Sequence, residues 1–303
     1  MALFDELLAH IGGSIERLPD KPEEDPESTL RALWFAAAGR PCSAERASEG
    51  ALPSLGPQGE DALRALVAQR LSGVPLCYVT RRQRFLDLEM YAAPGALIPR
   101  KETELLGRAA LALIHEAVGR QGRATVIDVC TGSGNLALAF AAHEPLARTG
   151  ASDLSDAAIA VAQENARIMG LAGKVDFRTG DLLEPFGSEW DGAVDVLTCN
   201  PPYISTGKMG SMPVEIAHYE PNAAFDGGPF GIRILKRVVT EALRLTRPGG
   251  WLCLEVGRGQ GAPMVSLIGK LGFYSTIRTL ADQNGEIRAL TAQVKADGKH
   301  EVA

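Results

Sequence analysis

Cysteine is scarce in this chain of 303 residues: five, at positions 42, 77, 130, 199 and 253, with no Cys-x-x-Cys pair. That excludes a disulfide framework or thiolate zinc site as the organising device and predicts a reduced, cytoplasmic setting. The five histidines show no ligand spacing, so no metal is expected. No apolar run approaches the ~20 residues that cross a bilayer. The opening MALFDELLAHIGG carries acids where a secretory signal carries bases. No membrane role is expected. Basic residues are in deficit, 31 Lys and Arg against 37 Asp and Glu, for a net charge of −6. Direct nucleic-acid binding is not expected of such a surface. The glycine pattern after the first buried strand is an incomplete GxGxxG, with Ala137 at the third position, and no P-loop lysine follows it. A pyrophosphate cradle is therefore poorly supported.

What is present is apolar periodicity, with 46% hydrophobic residues to build a core. Phe4, Leu7, Leu8, Ile11 and Ile15, then Leu30, Leu33, Trp34 and Ala37, then Leu63, Leu66, Val67 and Leu71 fall at helical spacing. They predict a small helical domain over residues 1–73, with 19–26 as a connector. Residues 74–98 change character: CYV and FLDLEMY predict the two strands of a hairpin around Thr80-Arg-Arg-Gln-Arg84. The third unit, 99–303, starts with a helix through Ile114 and a loop at 119–122. Strands are then expected at 124–129, 148–152, 175–178, 193–198 and 251–256, and helices at 135–143, 156–169, 231–246 and 261–271. Two closing strands, 273–280 and 287–294, have no helix between them and should pair antiparallel. This alternation predicts an α/β fold with a mostly parallel sheet covered on both faces.

Two stretches carry chemistry. Asp128-Val-Cys-Thr-Gly-Ser-Gly-Asn135 joins the first buried strand to its helix, and Gly132 and Gly134 let a ligand approach the backbone. Asp153 ends the next strand, 21 residues after Gly132, where an acid hydrogen-bonds a ribose diol in doubly wound folds. Asp181 follows the third strand. A nucleoside cofactor without phosphates fits this set, and the acid next to the glycines suits a ligand with an ammonium and a sulfonium. S-adenosyl-L-methionine is such a molecule. The second stretch, TCNPPYI, ends the fourth strand, because neither Pro201 nor Pro202 can donate to a ladder. It presents the Asn200 side-chain oxygen and the Pro201 carbonyl as a fixed acceptor pair, with the Tyr203 ring beside them. Such a pair could hold the two N–H groups of an amide or exocyclic amine and stabilise charge growing on its nitrogen.

Asn200-Pro-Pro-Tyr203 resembles the amino-methyltransferases. Pro75-Leu-Cys-Tyr78, Phe85, Leu97-Ile-Pro-Arg-Lys-Glu-Thr-Glu-Leu-Leu106, the Asp128–Gly134 turn, Tyr219-Glu-Pro221 with Phe225-Asp-Gly-Gly228, and Leu254-Glu-Val-Gly257 with Gln260-Gly261 fall in one order. Together they resemble the HemK-type protein-(glutamine-N5) methyltransferases, which modify the Gly-Gly-Gln motif of peptide chain release factors. The resemblance spans roughly residues 60 to 292. It implies a Rossmann-like class I methyltransferase with a seven-stranded sheet and a helical N-terminal domain that helps to hold the release factor. It also implies that the segment with Pro99, Arg100 and Thr103 lies near the cofactor. The cofactor set is then Arg100, Thr103, Asp128, Thr131, Gly132, Gly134, Asn135, Asp153, Leu154, Asp181, Leu182 and Asn200. The catalytic set is Asn200, Pro201, Pro202 and Tyr203. The partner is a release-factor-like protein, or alternatively a small-molecule amide or amine; nothing sets the oligomeric state. The chain departs from the family at Arg81 and near Asp87, where glycine is usual, at Lys101, where proline is, and at Phe230, where aspartate is. Glu220 is expected to brace the loop after Tyr203, Glu102 and Glu104 to serve a helix start, and Arg81, Arg82 and Arg84 to form a solvated hairpin tip.

Overall fold

In the computed structural model, residues 2–15, 18 and 20–296 are described. Helices α1 (Ala2–Gly12), α2 (Pro26–Ala37), α3 (Ala44–Glu49), α4 (Pro57–Leu71) and α5 (Leu76–Thr80) come first. Helix α2 starts where its sequence says it should. Pro26 stands in the first turn, and Asp25 and Ser28 cap each other's backbone N–H groups at 2.8 and 2.9 Å. Leu7, Ile11, Leu30, Leu33, Leu63, Val67 and Leu76 form the buried centre of this unit.

Strands β1 (Arg82–Phe85) and β2 (Leu88–Tyr91) form an antiparallel hairpin. This corrects the expectation for residues 77–79. That apolar run lies in the helical turn α5, with Leu76, Cys77 and Tyr78 all buried. So short an apolar run does not tell helix from strand by itself. The hairpin begins only at Arg82, after Arg81 turns the chain in the left-handed region (φ 59°). Its two-residue turn places Leu86 and Asp87 at φ 45° and 67°, the positive pair of a type I′ turn. Glycine would cost least at Arg81 and at this turn.

The rest is α6 (Thr103–Gln121), β3 (Ala124–Val129), α7 (Asn135–His143), β4 (Ala147–Asp153), α8 (Asp156–Ile168), β5 (Val175–Thr179), β6 (Val194–Cys199), α9 (Val214–Tyr219), α10 (Arg233–Leu245), β7 (Thr246–Glu255), α11 (Gly261–Leu271), β8 (Tyr274–Ala281) and β9 (Ile287–Val294). Helix α6 runs seven residues past the expected end at Ile114, so 119–121 are helical. Ala117 extends its buried stripe, and Gly122 (φ 73°) closes it. Helices α3 and α9 were not anticipated. Each is six residues long, too short for a periodicity to show.

The seven strands run in the order β5-β4-β3-β6-β7-β9-β8, the first five parallel and β9 antiparallel to both neighbours. This is the Rossmann-like sheet of class I methyltransferases, with the closing pair antiparallel as expected. One face buries Ile127, Leu197, Leu235, Val238 and Trp190, the other Val126, Val196, Leu106, Ile114 and Phe140. Side chains of this size each contribute about 1.5–3 kcal/mol on burial. Central β3 lies between β4 and β6, so Asp128 is level with Ala151 on one side and Thr198 on the other. The switch in winding direction falls here, at the carboxyl ends where ligands of such sheets sit.

The N-terminal helices are joined to the sheet unit by charge. Lys21 and Arg70, both buried, meet Glu215 of α9 at 2.5 and 2.9 Å. Lys101, the residue in place of the family's proline, bridges Glu45 of α3 and Glu104 of α6 at 2.6 and 2.9 Å. Glu89 of the hairpin accepts from the Ser43 N–H at 3.0 Å.

Candidate active site

The turn after β3 needs its glycines for two reasons. Gly132 (φ 55°) has nothing within 4 Å of a Cβ position, so its backbone faces open space. Gly134 (φ 78°) would press a Cβ to 3.0 Å from Ala162 and 3.2 Å from Leu138, so it lets the turn pack on α8. Asp153 at the end of β4 takes the Gly132 N–H at 2.9 Å on one oxygen and the Ser155 N–H at 3.0 Å on the other. Burial raises its pKa, against the opposing pull of those amides.

Asp128 lies beneath the turn, 1% exposed. Both its oxygens are used: Thr131 donates to one and Thr198 of β6 to the other, each at 2.6 Å. Burial lifts its pKa to about 7, with the Asp153 charge adding and the two hydroxyls opposing. Asp128 thus ties the glycine turn to the strand that carries Asn200. Asn135 opens α7 beside the turn, and Leu154 is 72% exposed at its rim. Asp181 directs its carboxylate to Arg237 of α10, at 2.9 and 3.1 Å, leaving the backbone of Asp181 and Leu182 (φ 48°) at the mouth of β5.

On the other side of β3, strand β6 ends at Cys199 and the Asn-Pro-Pro-Tyr tip follows. The Asn200 NH₂ donates to Thr103 Oγ1 at 3.2 Å, and no described group donates to its Oδ1. Thr103, expected against the cofactor, therefore anchors the tip. The Tyr203 hydroxyl donates to Glu255 at 3.1 Å, and its side chain is half-buried. Gln260 clasps the turn from α11's start. Its NH₂ donates to the carbonyls of Tyr203 and Gly231 at 2.9 and 3.2 Å, while its oxygen takes the Gly257 N–H at 2.9 Å. A Cβ on Gly231 would stand 2.1 Å from the Tyr203 carbonyl oxygen, which only glycine avoids.

Arg100 does not face the open turn. Its buried guanidinium grips Glu220 and Asp20, and Glu220 also accepts from the Ile98 N–H at 3.0 Å. Glu220 is thus the brace expected of it. A cavity of about 470 Å³ opens beside Tyr203, lined by Ile204, Lys208, Met212, Phe230 and Arg258, with Phe230 81% exposed. A larger cavity, about 620 Å³, lies at the opposite ends of the strands between Leu183, Arg244 and Pro248. None of these site groups lines it.

Asp128, Thr131, Gly132, Gly134 and Asp153 are thus brought together on one flank of β3, and Asn200, Pro201, Pro202, Tyr203 and Thr103 on the other. The contacts that Thr198, Glu255 and Gln260 make with these groups had no local signal. The last two stand inside the LEVGxxQG stretch, but their contacts to Tyr203 cross 52 and 57 residues of chain. Among the described residues, no cluster of three or more His, Cys, Asp or Glu side chains could hold a metal, and no helix is long and apolar enough to cross a membrane.

Residues 108–218 match the methyltransferase small domain family. A release factor glutamine methyltransferase of Moorella thermoacetica is 36% identical over 284 residues, covering 93% of this chain and 96% of that protein. One of Geobacter sulfurreducens is 36% identical over 241 residues, 79% of this chain and 80% of its own. In shape, the chain is similar to the N-terminal domain of human METTL16 solved in complex with SAH. The TM-score is 0.50 at 16% identity, over 78% of this chain and 84% of that one.

Proposed function

The chain belongs to the release factor glutamine methyltransferase family, and from that membership we propose that it methylates the side-chain amide nitrogen, N5, of a glutamine in a peptide chain release factor. The methyl donor in this reading is S-adenosyl-L-methionine. The residues present fit it: a backbone turn open at Gly132, a ribose-suited acid at Asp153, and the buried acid Asp128 beneath the turn, suited to a ligand's cationic group. When bound, that cofactor supplies an electrophilic methyl on a sulfonium. Everything else falls to the chain.

The single observation that carries the reading is the state of Asn200. Its NH₂ is committed to Thr103, which leaves Oδ1 as an acceptor at the tip. Oδ1 and the Pro201 carbonyl would each take one N–H of the glutamine amide. Held so, the amide nitrogen turns its lone pair to the methyl donor. The positive charge that develops on nitrogen falls between two fixed dipoles, which need no reorganisation. Pro202 stiffens the tip, and Tyr203 walls the planar group. With the donor bound, the nitrogen so held would take the methyl group as the donor's carbon–sulfur bond breaks, and the surplus proton would leave nitrogen for water. Residues 1–73 would grip the acceptor protein, 74–98 link, and 99–303 carry the reaction, in the cytoplasm where such a protein works.

The test is intact mass, followed by peptide mapping, of a Gly-Gly-Gln-bearing release factor incubated with the protein and S-adenosyl-L-methionine. One added methyl group on that glutamine is expected. A release factor left unmodified, with a small amide or amine methylated in its place, would overturn the acceptor and leave the donor standing.

A further inference from the structure

The cavity of about 470 Å³ beside Tyr203 lies on the side of the tip away from Asp153. Its place follows from the strand order. The glycine turn and Asp153 stand over β3 and β4, the tip over β6, and Gly257 to Gln260, which wall the cavity, over β7. An amide held at Asn200 would have the proposed donor site on one side and this cavity on the other. Ile204, Met212 and Phe230 give the cavity an apolar lining, and exposed Lys208 and Arg258 add two cations. Among the described residues, neither cation has a carboxylate within ion-pair distance. Phe230 is 81% exposed. A lone apolar side chain on an open surface needs no explanation, but this one is carried on a fixed backbone. The Gly228 carbonyl takes the Gly231 and Thr206 N–H groups, each at 3.0 Å, and the Gly227 N–H reaches the Ile204 carbonyl at 2.8 Å. Asp226 accepts from the Thr206 hydroxyl at 2.7 Å and the Gly228 N–H at 2.9 Å. Gln260 holds the Gly231 carbonyl. The turn is thus tied back to the tip on both sides of Phe230.

We propose that Phe230 is a specificity-determining residue: with Ile204 and Met212 it forms a subsite for an apolar side chain that follows the target glutamine in the acceptor chain, while Lys208 and Arg258 donate to the carbonyl groups of that segment. The occupant follows from the chemistry of both partners. In a Gly-Gly-Gln motif the two residues before the glutamine have no side chain. The nearest side chain on that side is three residues off, about 10 Å along an extended chain. The residues after the glutamine are one and two away, about 3 and 7 Å. They are the ones close enough to fill a cavity that borders Tyr203. The side chains of Ile204, Met212 and Phe230 offer no strong donor or acceptor, so an apolar group suits them, and its burial takes apolar area of both partners out of water. Lysine and arginine side chains have donors and no acceptor. Main-chain carbonyls of a polypeptide passing over the cavity would satisfy them.

This inference rests on the proposed glutamine methylation, and its test separates the two. A release factor bearing Gly-Gly-Gln is prepared with Leu or Gly at the first or the second position after the glutamine. Each form is offered, at saturating S-adenosyl-L-methionine, to the wild type, Phe230→Ala and Phe230→Leu. The wild type is expected to favour Leu over Gly at one of the two positions on the order of tenfold in kcat/KM, with the difference mainly in KM. Phe230→Ala should cut that preference to below about threefold, and Phe230→Leu, which keeps an apolar contact, should retain most of it. Every acceptor meets all three enzymes, so a change in an acceptor's own fold cancels. What remains is a coupling between Phe230 and one acceptor residue, which a merely structural role would not produce. The double variant Lys208→Gln with Arg258→Gln should raise KM for all the acceptors alike, on the order of fivefold; an unchanged KM would remove the two cations from the subsite. A wild type indifferent to Leu and Gly at both positions overturns the inference and leaves the methylation standing, as does a preference that survives Phe230→Ala in full. No methylation of any acceptor by the wild type overturns the functional reading, and the inference falls with it.

Discussion

The two flanks of β3 are built by different means. On the β4 side, the glycine turn is held largely by groups close to it in the chain or at equal height on a neighbouring strand. Asp153 takes the Gly132 and Ser155 amides, and Thr131 reaches Asp128 three residues away. On the β6 side, the tip is held by side chains from three separate places: Thr103, Glu255 and Gln260. In the function proposed above, the first flank would bind a nucleoside with backbone and a strand-end acid, and the second would aim an acceptor pair whose direction depends on distant supports. Binding and aiming would then be divided between the two sides of one strand, with Asp128 joining them through Thr131 and Thr198.

The division can be broken at its strongest point first. Asn200→Ala removes a preorganised acceptor, so single-turnover transfer should fall on the order of 10²–10³-fold. The cofactor Kd, measured by calorimetry, should stay within about twofold. A large loss of cofactor affinity would show that the tip binds as well as aims. Asp153→Ala should do the reverse. Cofactor binding is expected to weaken by at least about tenfold, roughly 1.4 kcal/mol, while the rate at saturating cofactor holds. The smallest effect belongs to the hairpin outside both flanks. Arg81→Gly relieves a left-handed residue that costs about 1–2 kcal/mol and adds glycine's unfolded-state entropy in return. Net stability should rise by about 0.5 kcal/mol, read from denaturant unfolding. Neither Kd nor rate should move; a change in one of them would assign the hairpin to that flank.

Legibility in the sequence follows the same division. The DVCTGSGN turn and the acid at 153 could be read because their spacing along the chain is itself the geometry. Asn200-Pro-Pro-Tyr could be read because two prolines announce a stiff end. The supports of the tip could not, since nothing near Glu255 or Gln260 in the chain says that Tyr203 will lie against them. Asp181 was placed correctly by its strand, yet its carboxylate is drawn to Arg237, 56 residues on. The misread hairpin strand has the opposite cause. Residues 77–79 were too short a run to carry a period, and burial on both sides of the turn favoured a helix. Arg81 and Asp87, seen first as departures from the family, sit at left-handed positions where the family's usual glycine has a plain steric reason.

The strand order carries a consequence for the making of the protein. Strand β9 is the last element among the described residues, yet it lies inside the sheet, between β7 and β8. From there, Arg288 reaches Glu102, beside the threonine that anchors Asn200. During synthesis the glycine turn, the tip and β7 are all translated before β9 emerges. A nascent chain stopped near Ala281 would hold every residue of the acceptor pair, but β7 would be left as an open edge and α6 would lack its arginine tether. Competence to transfer a methyl group should therefore arrive late in translation, with the strand that closes the sheet.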